Sequence, residues 1–448
     1  MTINFPTLII SRRPRHLGES WNDARSWFGG KPQLGEQAWA RVGAQQRPLF
    51  FVAQIDLAEV AREVQRFGEL APFPDGALAF FIGAGDDGYD TGAVVHVPRS
   101  QLGNSTEPPP DAPAVLIPGG DIFPFPNRFD REAPRVFPYW PVDITAVEVE
   151  PVLESDLDEE YEEEQYEKED AALVAAVGRH FFRRQFFLTA DHAYKLLGGD
   201  VPRMFWWHSA QYYAACLRRA LHTVPHHIEH RGRDLEAARV RLENLRTTGL
   251  LSAGVFRSKQ ASEDVKRSED HVVRLETKLA ELESRLPEFA SFVRDVDDWA
   301  RGKDPWQFMP PEAVGVLAST VERGRKVFDE FTRVYTCKYL DQLETETLLA
   351  LATADERAYA TIPEELRALI NTQYLLPSSH WHQMFGRGVD IQGNAAIENE
   401  GNVMLLQLVY DDMLHWNFGD MGAYQFWIPP DDLARGNWAA VRLTFECG

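Results

Sequence analysis

The chain has 448 residues, 44% hydrophobic and 25% charged, a composition that supports a sizeable buried core and more than one compact unit. Its 68 acidic against 46 basic residues leave a formal net charge of −22, which argues against a general phosphate-binding face and against docking on an anionic membrane. Three widely spaced cysteines, Cys216, Cys337 and Cys447, supply neither a disulfide framework nor a CxxC metal pair, so a reducing cytoplasm is the expected compartment.

The first residues read "MTINFPTLIISRRPRH". The apolar stretch is short and its charges follow it, the reverse of a secretory signal. No window holds enough apolar residues for a membrane span. From 1 to 150 the chain is rich in Gly, Pro and aromatics. The segments 48–57, 76–83, 92–97 and 143–149 read as strands between turn-type punctuation, and 57–68 reads as a helix that stops at Gly68. "GAGDDGYDTG" (83–92) lacks the ligand spacing of a calcium loop and reads as a turn.

From 151 to 375 the period turns helical. "ESDLDEEYEEEQYEKED" (154–170) packs eleven acids and one lysine, which suits either a solvated linker or a docking strip for a basic partner. Two heptad runs follow: Ile228, Leu235, Ala238, Leu242 and Leu245, then Val265, Val272, Leu275, Leu279, Leu282 and Leu286. Joined by a glycine-containing loop, they predict an antiparallel helical hairpin over 227–287. From 376 to 448 strand character returns at 402–411, 422–429 and 438–447.

The two strand-rich ends repeat each other. "WFGGKPQLG" stands against "MFGRGVDIQG", "FFVAQIDL" against "MLLQLVYD", "GALAFFI" against "GAYQFWI", and "GAVVHV" against "AAVRL", in one order. A duplicated β-rich unit follows, each copy hiding an apolar face that would otherwise stay wet. The central glutamines Gln54 and Gln407 then serve either as structural amides tying down loops or as ligand contacts in a cleft between the copies.

These segments, and above all "FGDMGAYQFWIPPDDL", resemble the YwqG-like family of bacterial proteins over about 1–150 and 376–448. The resemblance implies an α+β fold with no agreed activity. It also implies a partner-binding role of immunity or regulatory type. The family joins its halves by a much shorter segment, so residues 151–375 are a departure.

Candidate chemistry is sparse. His222, His226 and His230 recur every fourth residue, a spacing at which imidazoles can share a metal, although Pro225 interrupts them and no third-party ligand is evident. His382, His415 and Asp420 form the candidate acid–base or metal set for a hydrolase using the cleft. Trp206 and Trp207 belong to an aromatic helix that is either core or a protein-binding patch. Asp420 and Trp427 complete the candidate binding residues. No cofactor is expected, and no nucleic acid or membrane partner.

The expected architecture is therefore α+β: a duplicated β-rich unit with an antiparallel sheet, in two halves at 1–150 and 376–448, interrupted by an all-α insertion at 151–375. The expected function is non-catalytic binding of a basic protein partner, with the hydrolase as the alternative.

Overall fold

Among the described residues the chain forms twelve strands, interspersed with helices. The strands are β1 (Thr7–Arg12), β2 (Trp27–Phe28), β3 (Arg41–Val42), β4 (Arg47–Pro48), β5 (Phe50–Asp56), β6 (Ala77–Ile82), β7 (Gly92–Val97) and β8 (Trp140–Val147) in the N-terminal part. In the C-terminal part they are β9 (Gln383–Met384), β10 (Val403–Val409), β11 (Ala423–Ile428) and β12 (Arg442–Glu446). The computed structural model describes residues 5–68, 73–83, 91–112, 115, 134–147, 189–198, 202–251, 257–332, 338–374, 380–386, 388–389, 391–393 and 395–448. The turn at 84–90 and the acidic stretch at 154–170 lie outside them.

Ten strands form one antiparallel sheet in the order β12-β11-β10-β9-β1-β8-β2-β5-β6-β7. Counting outward from the central pair β1 and β8, one arm reads β9, β10, β11, β12 and the other β2, β5, β6, β7. The sequence repeat thus becomes a pseudo-twofold sheet. Both arms carry the same irregularity, a register shift across Phe51 and Ala53 in β5 and across Met404 and Leu406 in β10, each just ahead of the central glutamine.

The repeat slips by one residue where it begins. Written side by side from Trp27 and Met384, the two glycine motifs set Phe28 against Phe385. In the sheet, however, Trp27 pairs with Gln54 and Gln383 pairs with Gln407, so Gly29 corresponds to Phe385 and Gly30 to Gly386. Backbone angles agree: φ is 58° and 59° for the first pair, 63° and 66° for the second.

The sheet curls until its two edge strands approach. A Cβ on Gly92 of β7 would lie 2.7 Å from Leu443 of β12, and the rings of Phe80 and Phe426 are 5.1 Å apart. Close approach protects two otherwise bare edges and explains a glycine at that position. Helix α1 (Leu57–Gln65) starts at Asp56, whose carboxylate accepts from the N–H groups of Ala58 and Glu59.

The chain divides into two compact units, one containing the sheet and one comprising Phe205–Leu343. Helices α2 (Ala190–Leu196), α7 (Leu340–Thr353, from Glu344 onward), α8 (Glu356–Tyr359), α9 (Glu364–Gln373), α10 (Ala395–Glu398) and α11 (Pro430–Arg435) belong with the sheet.

The helical unit is built on α3 (Trp207–Leu251) and α4 (Arg257–Ala300), with α5 (Pro311–Val327) and α6 (Asp329–Thr332) at its base. Its hairpin seam is Leu235, Ala238, Leu242 and Val272, flanked by Val265, Leu275 and Leu279. Arg218, Arg239 and Arg246 on α3 pair with Asp297, Glu276 and Glu269 on α4, the same heptad steps run in opposite directions. Both arms extend beyond 227–287, because Tyr213, Leu217, Phe289, Phe292 and Phe328 continue the apolar seam into the base. Among the described residues no helix is long and apolar enough to cross a membrane.

Candidate functional site

Where β1, β9 and β10 adjoin, the sequence places a cation, an imidazole and a carboxylate at neighbouring strand ends. Arg12 closes β1, His382 precedes β9 and Asp411 follows β10, and all three are buried. His382 Nε2 lies 2.9 Å from Asp411 Oδ2, while the Val409 N–H donates to His382 Nδ1 at 3.1 Å. Since Nδ1 accepts, the ring proton sits on Nε2 and is donated to Asp411.

Arg12 pairs with the same carboxylate oxygen, and its Nε donates to the Tyr374 carbonyl at 3.1 Å. The Met413 N–H occupies Asp411 Oδ1 at 3.0 Å. Burial holds the His382 imidazole below its usual range, with Arg12 adding to the effect against the pull of Asp411. Burial works against the Asp411 charge, but Arg12 and His382 outweigh it and keep that carboxyl below its ordinary value. Phe28 and Trp416 enclose the imidazole edge-on, at 4.8 and 5.4 Å between centroids.

The other arm repeats the plan with different chemistry. Ser26 stands where His382 does: its carbonyl accepts from Val142 of β8, as that of His382 accepts from Ile10 of β1. Its hydroxyl donates to Glu59 at 2.6 Å and accepts from the Asp56 N–H at 2.9 Å. Burial pushes Glu59 up, only partly countered by Ser26. A hydroxyl–carboxylate pair in one copy thus answers an imidazole–carboxylate pair in the other.

A second layer lies around the turn after β10. His415 adopts a left-handed backbone, φ 54°, and its Nδ1 lies 3.9 Å from Glu346 of α7, each side chain about one-quarter exposed at 25% and 26%. Tyr374 is pushed up to about 12 by burial and then by Asp412. Its buried hydroxyl has no hydrogen-bond partner among the described residues. Tyr410 is raised for the same reasons, with Asp411 and Glu346 adding.

The remaining sequence candidates are scattered. Asp420 is exposed, its carbonyl accepting from the Gly448 N–H at 2.8 Å. Gln54 Oε1 accepts from the Gln33 N–H at 2.7 Å. Gln407 Oε1 accepts from the Val389 N–H at 2.7 Å, and its Nε2 donates to the Trp381 carbonyl at 2.9 Å. Each amide ties the loop after its glycine motif to the sheet. The Trp427 indole donates to Thr444 Oγ1 at 3.1 Å.

Trp206 packs on Phe308 and Trp207 on Trp299, both buried within the helical unit. His222, His226 and His230 lie exposed along α3, with His230 Nδ1 3.1 Å from Asp234. No group of three or more metal-ligating side chains occurs among the described residues.

Besides Asp411, the buried acids Glu446 and Glu344 escape sequence reading. Glu446 accepts from the N–H groups of Ile391 and Ala395, both at 2.8 Å, fixing the C-terminal loop. Glu344 is fully buried and pushed up to about 7 by burial, against the Arg203 guanidinium 2.8 Å away and the Tyr194 hydroxyl. Glu344 sits in no motif and Glu446 lies in the last strand-like segment, where an acid within an apolar run is the signal it leaves.

Against known families, the model described as Domain of unknown function (DUF1963) matches residues 26–199 and 299–447. The interval between the matched segments contains α3 and nearly all of α4. A search of curated proteins finds no match.

Proposed function

The chain belongs to the DUF1963 family, and we propose that it is a non-catalytic module that binds a basic protein partner, of the immunity or regulatory type. Within the family we assign it to the YwqG-like group on the repeated glycine and aromatic motifs, and we place it in the cytoplasm on its cysteine usage. The observation that carries the reading is the partition of charge. Residues 205–343 hold 22 basic and 21 acidic side chains, against 46 and 68 for the whole chain, so 24 and 47 fall outside them. That surplus steers a cationic protein toward the sheet-bearing part of the chain.

The burial of His382 supports the same reading, because both ring nitrogens are engaged away from solvent. The test is capture by the tagged full chain from its host lysate at low and moderate salt. One stoichiometric basic protein, lost as salt rises, is the expected result; an empty capture at low salt overturns the reading.

A second reading, acid–base or metal-dependent chemistry, draws on His415 and Glu346, which are paired and reachable from solvent. Zinc titration by calorimetry and an NMR titration of His415 test it. An ordinary His415 titration without metal uptake removes it.

A further inference from the structure

The helical unit carries an open slot of about 320 Å³ between α4 and α5. At one end Arg323 lies over Phe292, 5.1 Å from the ring centroid. Seven residues along each helix, about 10 Å away, Trp299 and Val316 line the other end, so the two helices run antiparallel across the slot. Between the ends stand Asp295, Val296, Ser319 and Thr320.

The middle layer is rich in acceptors. Ser319 Oγ and Thr320 Oγ1 both donate to the Val316 carbonyl, at 2.9 and 2.7 Å. Their protons are spent there, leaving oxygen lone pairs for a ligand. The exposed Asp295 carboxylate has no ion-pair or hydrogen-bond partner among the described residues. The cationic end is already engaged: Arg323 also lies over Phe328 at 5.7 Å and is 3.8 Å from Glu288.

We propose that this slot receives a lysine side chain offered by a protein partner, its ammonium against Asp295, Ser319 and Thr320 and its stem along Val296, Val316 and the half-buried Trp299. Three separate oxygens suit the three N–H donors of an ammonium better than the planar fork of a guanidinium. The indole adds an aromatic face to the cation. The inference rests on the reading of the chain as a binder of basic proteins, and it deepens that reading. Because the helical unit is near neutral, recognition here is by local fit and not by a long-range field.

The test uses full-length protein labelled with fluorotryptophan, the Trp299 resonance being assigned through Trp299→Phe. The probes are acetyl-Gly-Lys-Gly-amide and its norleucine counterpart. The lysine peptide shifts the Trp299 signal saturably, the norleucine peptide binds about fivefold more weakly or worse, and Asp295→Asn weakens the lysine peptide about tenfold. Thr320→Val gives a second variant that keeps the helix intact. Equal shifts by both peptides, indifference to Asp295→Asn, or no shift up to about 50 mM peptide overturns the proposal. The titration needs no partner protein. A captured partner with a silent slot overturns this inference alone, and a responsive slot with an empty capture overturns the wider reading alone.

Discussion

Gly29 and Phe385 hold the same backbone conformation at the same place in the two arms of the sheet, φ 58° and 59°. Glycine enters that region without penalty, whereas phenylalanine does so at a cost of about 1 kcal/mol or more. What holds Phe385 there is its ring, fully buried with its centroid 4.4 Å from that of Phe5 and 5.7 Å from that of Phe73.

Substitution at the two positions should therefore fail for different reasons. A Cβ at Gly29 would fall 2.0 Å from the Pro138 carbonyl oxygen, so Gly29→Ala forces the backbone to move and lowers stability by about 3 kcal/mol. Phe385→Ala loses the ring and costs about 3 kcal/mol. Phe385→Gly loses the same ring but recovers about 1 kcal/mol of strain. Urea unfolding measures all three, and a Phe385→Gly protein less stable than Phe385→Ala contradicts this account.

Asp411→Asn leaves Arg12 buried without a counter-charge and is expected to cost about 3–5 kcal/mol. Joint replacement of Arg12 and Asp411 by apolar residues should cost less than the two single changes summed, a coupling that a double-mutant cycle reads directly.

The pH dependence of the same pair has a definite sign. Asp411 is depressed in the fold, so its contribution is present above the ordinary carboxylate range and is lost as pH falls through its lowered value. His382 is depressed too, so below about 6.5 the unfolded chain gains a proton that the fold refuses. Both make stability rise with pH on the acidic side. His382→Gln should flatten the upper part of that rise, just below pH 6.5, in chemical unfolding followed from pH 4 to 7; an unchanged slope there excludes the assignment.

Glu344 works in the opposite direction. Raised to about 7, it stabilises the fold in its protonated form, an advantage lost as pH climbs from the ordinary glutamate value toward 7. The span corresponds to roughly 3 kcal/mol. Glu344→Gln, neutral at every pH, should erase this dependence, and the difference between variant and wild type plotted against pH is the measurement. A parallel pair of curves refutes it.

In the hairpin, seam and surface should separate cleanly. Leu242→Ala is expected to cost about 2 kcal/mol. Arg246→Ala, which breaks an exposed pair with Glu269, should leave the thermal midpoint within error. Circular dichroism melts decide the matter.

The long elements were legible because each carries its own period. β5, β6, β10 and β11 fall within segments readable as apolar strands, and the 3–4 spacing of leucines announces the hairpin. β2 and β9 were not legible, since two residues cannot display an alternation; only their partners across the sheet make them strands. β1 was hidden for a related reason: "TLIISR" is a short apolar run whose pairing partners lie far along the chain. His382 stood out by residue type. Arg12 and Asp411 did not, because charges beside strand ends are ordinarily solvated, and only a fold that joins positions 12 and 411 buries them together.

The central place of β1 has a consequence for synthesis. Leu8 is paired on one side with Ala146 and on the other with Met384, so the partner for one edge of β1 is synthesised more than 200 residues before the partner for the other. During that interval the ribosome has already released α3 through α6, whose contacts are mostly their own. A nascent sheet formed before β9 is synthesised would have an unpaired β1 edge and Arg12 without its carboxylate, an arrangement open to strand addition from another chain. Pairing with β9 covers that edge, and the strand after it, β10, leads to the carboxylate that pairs with Arg12.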